Sequence, residues 1–427
     1  MDLFKLSELT FRAVIVSYLM ATVLYLILLV RKSNLVGKLA TAAAVIAVGL
    51  QTIGLSLRWI EGGITHPPFT NMYESLIFFG WGIAVFYLVI EFKYQFRAGG
   101  AFILPIALGA MGAAALNPAS SKEIHDLLPA LQSYWLHAHV AIASIAYAAF
   151  VGGFGASVMF LIKDGAPRKW LGFSVNLFLA FMLLISDRFN ILTHRVFTLN
   201  MVTPEGEVTG QFKTFASPGV ILLLAAIYFV IAAVFYLYRG EEEGRALPAN
   251  RSILGVPFAP FITGLGAVFT AIGLGLLGRA THTDPSVALF GNPFKIIILS
   301  LVIFVGAVTV FLDLKLTWVR EALPAAERLD SISHVVITVA FPLMTMVIVT
   351  GMVWAKFAFG EYWQWDPKET ASLITWLIYT FYLHARLQMN WSPRRVAAIS
   401  IVGFASVVFT YLGVNVIGPG YHAYASF

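Results

Sequence analysis

The sequence contains no cysteine among its 427 residues. Disulfide bonds, thiolate metal sites, iron–sulfur clusters and cysteine nucleophiles are therefore excluded for this chain. Any metal or metal-containing ligand must be held by histidine, methionine, carboxylate or carbonyl groups. The nine histidines are accordingly the first candidates.

Charge is also scarce. Only 12% of the residues are charged and 59% are hydrophobic, whereas about 25% are charged in an average soluble domain. The mean hydropathy of +0.82 predicts an all-α, polytopic integral membrane helical bundle. The net charge of +6 does not imply nucleic-acid binding, because basic residues in such chains lie in cytoplasmic loops and fix orientation. The N-terminus lacks a basic n-region and a small-residue cleavage site, so the first apolar run predicts a retained span.

Apolar runs of about 18 to 22 residues, long enough to cross a bilayer, recur along the chain. Glycine, proline or charge interrupts the sequence between them. The pattern predicts about twelve transmembrane helices, near residues 12–30, 40–60, 72–91, 99–116, 133–162, 170–186, 217–238, 256–278, 293–312, 334–355, 371–388 and 396–416.

The loops carry three further expectations. A small polar hairpin is predicted around TPEGEVTG in residues 187–216. A short amphipathic helix is predicted for VREALPAAERLD, from Val319. An even number of spans puts both termini on one side. If that side is external, more than half of the 28 Lys and Arg residues lie in the inside segments, as the positive-inside rule requires.

Residues 360–370 then lie on the external face and read GEYWQWDPKET. One interpretation is an interfacial aromatic belt next to a helix start, because Asp366, Pro367 and Glu369 have the spacing of a capping box. A belt alone requires no such density of rings. The aromatic density suits a large, flat, amphiphilic ligand with acidic groups. Seven aromatic residues fall within 23 positions: Trp354, Phe357, Phe359, Tyr362, Trp363, Trp365 and Trp376.

A specific resemblance adds to this reading. Residues 354–386, WAKFAFGEYWQWDPKETASLITWLIYTFYLHAR, resemble the tryptophan-rich WWD domain of haem-handling proteins, in particular the CcsA type of system II cytochrome c biogenesis. Four more stretches resemble family motifs in family order. They are PPFTNMYESLIFFGW from Pro67, LQSYWLHAHV from Leu131, FPLMT from Phe341 and GVNVIGPGYHAY from Gly413.

The chain also departs from the family pattern. The family usually has Trp-Gly where this chain has Phe359-Gly360, and Gly-Leu-His-Ser-Tyr where it has GYHAY. About four spans within residues 165–315 are expected to be an insertion that the family pattern leaves unexplained. Three parts are predicted: an N-terminal bundle (1–164) with the NMYESL and WLHAHV motifs, the inserted spans with an external hairpin (165–315), and the WWD core with the C-terminal spans (316–427).

The resemblance implies roles for particular histidines. His139 matches the WLxxHV motif and His422 the C-terminal motif, and together they are implied as two external axial ligands of haem iron, which two neutral imidazoles can bind from opposite sides. His384 matches the family's transmembrane histidine, about 27 Å deeper than Asp366 along a helix. It is implied as an inner haem ligand, with a second ligand from a CcsB-like subunit or from His334.

Other residues are expected near the haem or apart from it. Lys368, Arg58 and Lys356 are candidates for the propionates. His137 is two residues from His139 and points elsewhere on a helix. His66, His125, His194 and His282 fall in external loops and are expected to contact substrate or to be incidental. Asn71, Tyr73 and Glu74 are expected to cap span three. The rings and carboxylate implied in haem binding are Trp354, Phe359, Tyr362, Trp363, Trp365 and Asp366.

The resemblance implies a subunit of a cytochrome c synthase, or haem lyase. It would move haem b to the external face of the plasma (inner) or thylakoid membrane and present it to apocytochrome c. The thiols for attachment come from the substrate's Cys-x-x-Cys-His motif, so the synthase needs none of its own. The expected partners are a CcsB-like subunit, the apocytochrome and membrane lipid. Two alternatives remain: a haem exporter or loader of the CcmC or CcmF kind, and a non-haem transporter in which His384 relays protons.

Overall fold

The fold is taken from a computed structural model that describes residues 3–31, 33–63, 66–116, 132–165, 197–202, 208–214 and 316–413. The chain divides into two compact units. One consists of residues 1–115, 120–165 and 317–427, and the other of residues 116–119 and 166–316. The described part of the first unit is built from helices, and that of the second contains a strand pair.

The N-terminal helices follow the apolar runs. Local signals set several of their ends: Ser33 and Asn71 accept hydrogen bonds from the backbone of the first turns of α2 and α3, and Gln95, in the left-handed region, ends α3. Such caps satisfy backbone groups that a helix end leaves without partners. A 3-10 turn, Arg97–Gly99, precedes α4. The helices are α1 (Leu3–Val30), α2 (Asn34–Gly62), α3 (Met72–Tyr94), α4 (Gly100–Leu116) and α5 (Tyr134–Lys163).

The C-terminal helices resume at residue 316. They are α6 (Leu316–Ala322), α7 (Ala326–Phe359), α8 (Pro367–Leu387) and α9 (Pro393–Val408), followed by a π turn at Phe409–Gly413. The amphipathic helix expected from Val319 is wrong as predicted. Helix α6 ends at Ala322, and the long helix α7 begins at Ala326. Pro324 lies between them. The missing N–H of proline explains the break.

The described residues contain six helices long and apolar enough to cross a membrane, namely α1, α2, α3, α5, α7 and α9 with the first part of the π turn. The protein is therefore a multi-pass helical membrane protein. Helix α4 covers the predicted span 99–116 but is only 17 residues long. Helix α8 covers the predicted span 371–388 but is less apolar. Spans 170–186, 217–238, 256–278 and 293–312 lie outside the described residues, so the count of twelve stays a prediction.

Close packing of α5 against α7 forms the centre of this unit. A Cβ at Gly153 would lie 2.6 Å from Ile337, so this glycine allows the two helices to approach closely, as small residues do in membrane bundles. Beside it, the Ser157 and Ser333 hydroxyls lie 2.7 Å apart and share a hydrogen bond. These contacts hold α7 against α5 along a shared buried face.

The FPLMT run, from Phe341 on α7, packs against α8. The ring of Phe341 stacks on Trp376 at a centroid distance of 5.6 Å, and the Trp376 Nε1–H donates to Thr345 Oγ1 at 2.9 Å. This run therefore fixes the helix that follows the tryptophan-rich loop.

At the end of the bundle away from that loop, basic side chains link the ends of neighbouring helices. Arg386 on α8 forms a two-point ion pair with Asp330 on α7, at 2.8 and 2.5 Å. Arg394 pairs with Asp164 after α5. Lys163 and Arg320 each donate to a backbone carbonyl across the α5–α6 junction, at 2.7 and 2.9 Å.

The second unit contributes an antiparallel strand pair, β1 (Phe197–Val202) and β2 (Val208–Thr214). Phe197 pairs with Thr214, and the register shifts between Met201 and Val202. This is the hairpin predicted around TPEGEVTG. Residues 203–207 between the strands lie outside the described ranges.

Candidate functional site

Three of the five sequence motifs meet in one buried cluster at the end of the bundle that carries the tryptophan-rich loop. Phe69 comes from the PPFTN stretch, Leu136 and Val140 flank His139 on α5, and Trp354 lies on α7. Phe78, Ala141, Ala358 and Phe359 pack around them. Trp354 is only 1% exposed. It is therefore a core side chain of the described unit and does not belong to an open stacking surface, contrary to the expectation from sequence.

The loop begins at the C-terminus of α7. Gly360 has φ of +87°, a left-handed conformation that favours glycine, and its N–H donates to Lys356 O. The Lys356 ammonium in turn donates to Gly360 O at 2.7 Å and lies 5.4 Å from the centre of the Tyr362 ring. Phe359, just before the turn, meets Trp354 edge to face at 5.3 Å. The ring that departs from the family pattern thus packs onto the core.

Asp366 caps α8 as the sequence predicts. Its Oδ1 accepts from Lys368 N at 2.7 Å and Glu369 N at 3.2 Å. Glu369 Oε2 accepts from Asp366 N at 3.3 Å, which completes the capping box, and from Gln364 N at 2.8 Å. Asp366 is 5% exposed, so the structure gives it a capping role.

Trp365 lies between the two backbone N–H groups that Glu369 binds. It has φ of +56°, which is uncommon for a bulky residue and must be imposed by its surroundings. The Trp365 side chain is 69% exposed and its ring meets that of Trp363 edge to face at 5.9 Å. Tyr362 is 55% exposed. Tyr362, Trp363 and Trp365, here called the aromatic ledge, are the aromatic rings of the loop, and Trp363 is half-buried. Phe357, in the last turn of α7, is also exposed, at 73%.

His139 on α5 is held against α7. Its Nδ1 lies 2.8 Å from Val347 O. A carbonyl oxygen only accepts, so Nδ1 carries the proton and the lone pair of the neutral ring is on Nε2. Thr350 Oγ1 is 3.5 Å from the same Nδ1. This is the second-sphere arrangement that histidine ligands of metals have, so the residue fits the axial ligand of a haem iron.

His66 and Arg58 belong to a buried network. Arg58 Nε donates to Glu74 Oε1 at 2.6 Å, and Thr70 donates to Glu74 Oε2 through its backbone and its hydroxyl, at 3.0 and 2.9 Å. His66 Nε2 lies 2.8 Å from Thr70 Oγ1. The side chains of Arg58 and His66 are both buried, which argues against a propionate contact for Arg58 and, of the two alternatives for His66, favours the incidental one.

The predicted cap of span three is confirmed for Asn71, which accepts from Glu74 N at 2.9 Å. Tyr73 and Glu74 are buried instead. His137 turns towards Phe69, with ring centroids 6.2 Å apart. Its Nε2 is buried and has no hydrogen-bond partner among the described residues.

The structure does not bring His334 and His384 together. The ring of His334 lies 6.4 Å from Tyr382, and Arg386, one turn further along α8, pairs with Asp330, one turn before His334. His384 is two residues from both Tyr382 and Arg386, about 200° around the helix. It lies in an exposed stripe on the other face of α8 with Ile374, Leu377 and Phe381.

The other two candidates for the propionates are lysines. Lys356 is exposed and Lys368 is half-buried. Burial lowers the pKa of the Lys368 ammonium from 10.5 to about 8, and the Asp366 carboxylate opposes this shift. His422, His125, His194 and His282 lie outside the described residues. The last described turn ends at Gly413, and Tyr411 in it shares a 2.7 Å hydrogen bond with Ser75 in the first turn of α3.

Sequence reasoning missed Val347, Thr350 and Gly351, which surround the His139 ring. A Cβ at Gly351 would lie 2.9 Å from Cε1 and 3.0 Å from Nδ1 of His139. Only the pair of small residues at 350–351 hints at a close approach, and small residues are common in membrane helices.

Two comparisons with known proteins bear on the site. The model of the family described as "Cytochrome C assembly protein" matches residues 69–230 and 282–422. The chain is similar to proteins named "Cytochrome c biogenesis protein CcsA" from Trichormus variabilis (31% identity over 92% of this chain and 90% of the relative) and Nostoc punctiforme (32%, 91% and 89%). Another from Synechocystis sp. is 30% identical over 91% of this chain and 88% of the relative.

These matches extend into residues 165–315. Most of that segment, up to residue 230 and again from residue 282, falls within the family match. The expectation that the family pattern leaves the segment unexplained is therefore wrong for those residues. The boundaries of the three predicted parts and the packing of the spans inside the segment stay predictions.

Proposed function

We propose, for a chain that belongs to the cytochrome c assembly protein family and to its CcsA type, that the end of the bundle bearing the aromatic ledge presents haem for covalent attachment to apocytochrome c. The chain acts in cytochrome c maturation. The proposal adds where haem is held and by which side chains.

The observation that carries the proposal is the protonation state of His139. With Nδ1 donating to Val347 O, the lone pair on Nε2 suits iron coordination. His139 follows Leu136 and precedes Val140 on α5, and both pack against Trp354 in the cluster below the loop. The ligand and the ledge are therefore attached to one rigid core.

The aromatic ledge supplies the stacking surface. The exposed rings of Tyr362 and Trp365 and the half-buried ring of Trp363 are of a size that suits a porphyrin. Trp354 and Phe359 act beneath them as core, and Asp366 acts as the cap that fixes the loop. Lys356, in the last turn of α7, and Lys368, in the first turn of α8, are the proposed partners for the propionates, because they lie at the two ends of the loop.

His422 is the proposed second axial ligand. It follows Gly413 by nine residues, a length of chain that reaches about 30 Å at most, and Tyr411 is bound at the start of α3. Its position is proposed from the family motif alone.

His384 is proposed as a ligand for haem on the inner side before transfer. It lies on an exposed stripe of α8, and an ionisable side chain in such an apolar setting requires a partner. His334, on α7, faces Tyr382 on α8, so it is not proposed as that partner. We propose that the second ligand comes from a CcsB-like subunit.

The orientation is proposed from charge. The end opposite the ledge carries the paired basic residues Lys163, Arg320, Arg386 and Arg394, as a cytoplasmic end does. The ledge then faces the periplasm or lumen across a plasma (inner) or thylakoid membrane. We also propose that the chain has about twelve spans and the three parts predicted from its sequence.

When haem b is held there, its vinyl groups provide the carbons to which the two thiols of the substrate's Cys-x-x-Cys-His motif add. The residues of this chain position, stack and ligate, and they form no covalent bond themselves, consistent with the absence of cysteine. The activity is that of a haem lyase in complex with a partner subunit.

The test is expression in a host that lacks cytochrome c maturation, with an apocytochrome c reporter, with and without a CcsB-like subunit. Covalent haem on the reporter that appears only with the subunit supports the proposal. Covalent haem with the chain alone supports the presentation of haem at the ledge but contradicts a ligand supplied by the subunit. Purified chain that retains haem but never matures the reporter favours an exporter or loader. Absence of haem absorption under every expression condition favours a non-haem transporter and overturns the proposal.

A further inference from the structure

We infer that Gly351 on α7, with the carbonyl of Val347, forms a seat that fixes the His139 ring and directs Nε2 to haem iron. The inference rests on the proposed role of His139 as an axial ligand. It assigns a positioning role to a residue that is itself incapable of binding metal.

The first step is steric. The His139 ring lies against α7 where residue 351 has no side chain, and a Cβ there would come within 2.9 Å of Cε1 and 3.0 Å of Nδ1. A Cβ contact of 2.9 Å is essentially never seen, so a side chain at 351 requires the imidazole or the helix to shift. The backbone of Gly351 is helical, so the glycine is required for space and not for a special backbone conformation.

The second step is polar. Val347 lies one helical turn before Gly351, and a side chain at 351 would stand beside the Val347 carbonyl. With no side chain there, this carbonyl accepts the His139 Nδ1–H at 2.8 Å. The Thr350 hydroxyl lies closer to Met346 O, at 2.7 Å, than to Val347 O, at 3.2 Å. The imidazole N–H lies closer to Val347 O, at 2.8 Å, than to Thr350 Oγ1, at 3.5 Å. The seat therefore sets both the ring position and the tautomer.

The third step concerns rigidity. Leu136 and Val140 flank His139 on α5 and pack with Trp354, which lies one turn after Gly351 on α7. The two helices are thus fixed against each other on both sides of the ring. A ring displaced by a larger residue at 351 has no equivalent carbonyl to rejoin, and losing an outer partner of a metal-bound histidine weakens metal affinity about 10- to 100-fold.

The experiment combines two measurements on the detergent-purified full chain. Apparent unfolding midpoints are compared for wild type, Gly351→Ala, His139→Ala and the double variant, which forms a double-mutant cycle. Gly49→Ala is the matched control, because a Cβ at Gly49 meets no described atom within 4 Å. Absorption spectra and reduction potentials of the retained haem are recorded for each protein, with and without added imidazole.

The expected result is that Gly351→Ala lowers the midpoint in the wild-type background but not in the His139→Ala background, and Gly49→Ala lowers it in neither. Gly351→Ala also loses low-spin haem absorption, and imidazole restores it. Additive midpoints, or a Gly351→Ala spectrum and potential equal to wild type, would overturn the seat. A cycle that shows coupling while His139→Ala leaves the haem spectrum unchanged would instead overturn the proposed ligand.

Discussion

Arg58 and Glu74 form a buried ion pair, with Arg58 Nε 2.6 Å from Glu74 Oε1 and the two side chains 1% and 0% exposed. The pair joins α2 to α3, and Thr70 attaches the preceding loop to the same carboxylate. Phe69, the neighbour of Thr70, packs on Trp354 in the core beneath the aromatic ledge. The ion pair therefore supports the site from a distance.

Glu74→Gln should destabilise the protein by about 3–5 kcal/mol, because it leaves the Arg58 charge buried without its carboxylate. The measurement is the free energy of unfolding from denaturant titration in detergent. Asp164→Asn is the control: its partner Arg394 is 51% exposed, so the loss should be about 1 kcal/mol or less. The double variant Arg58→Met/Glu74→Met should recover much of the loss. Equal losses for Glu74→Gln and Asp164→Asn would contradict the assignment.

Glu369 holds Trp365 in its left-handed conformation through hydrogen bonds from Gln364 N and Asp366 N. Glu369→Ala should release this conformation and weaken haem retention by about tenfold or more, because each lost hydrogen bond to a charged group is worth about 1.5–3 kcal/mol. Haem retained during dialysis against a haem-binding competitor measures the effect. The anisotropy of the Trp365 fluorescence, obtained by difference from a Trp365→Phe protein, should fall.

Glu361→Ala is the matched control for this change, because Glu361 is an exposed carboxylate of the same loop. It should leave both readouts at the wild-type value. A Glu369→Ala protein whose anisotropy is unchanged would mean that the capping box does not position the ledge.

The contrast between these contacts explains what the sequence can predict. The capping box connects residues within five positions of one another, so local spacing was sufficient to predict Asp366 and Glu369. His139 and Val347 are 208 residues apart, and no local pattern records that contact. The apolar runs predicted most of the described helices for the same local reason, since each run alone has to cover the bilayer core.

Burial was the second limit. Aromatic density predicted a stacking surface, but it does not distinguish rings that face the core from rings that face outward, so Trp354 was assigned to the surface although it is 1% exposed. Arg58 was assigned to a propionate because the sequence does not reveal that Glu74, on the next helix, neutralises it. Depth along the helices makes His334 one candidate partner of His384, beside a CcsB-like subunit, and the rotation of α8 argues against it.

That rotation leads to a prediction for the inner site. His384→Ala should abolish the haem signal that remains after His139→Ala, because His384 lies on the exposed stripe of α8. His334→Ala should leave that signal intact, since His334 packs towards Tyr382. Difference spectra of the two double variants are the measurement. Equal loss of signal in both would place the two histidines at one haem and contradict the separation of their helix faces.

The lowered pKa of Lys368 predicts a pH dependence of stability. Below about pH 8 the ammonium is charged in folded and unfolded protein, and burying it costs stability. Between about pH 8 and 10.5 the folded protein releases its proton first, so this cost fades and stability rises with pH through the window. Lys368→Met removes the cost, so its unfolding midpoint should exceed that of wild type most below pH 8, and the gap should narrow towards pH 10.5. Lys356→Met, at an exposed ammonium on the other side of the loop, should show no narrowing. A gap of constant size across the window would mean that the Lys368 ammonium is solvated in the folded protein, and its assignment to a propionate would then rest on position alone.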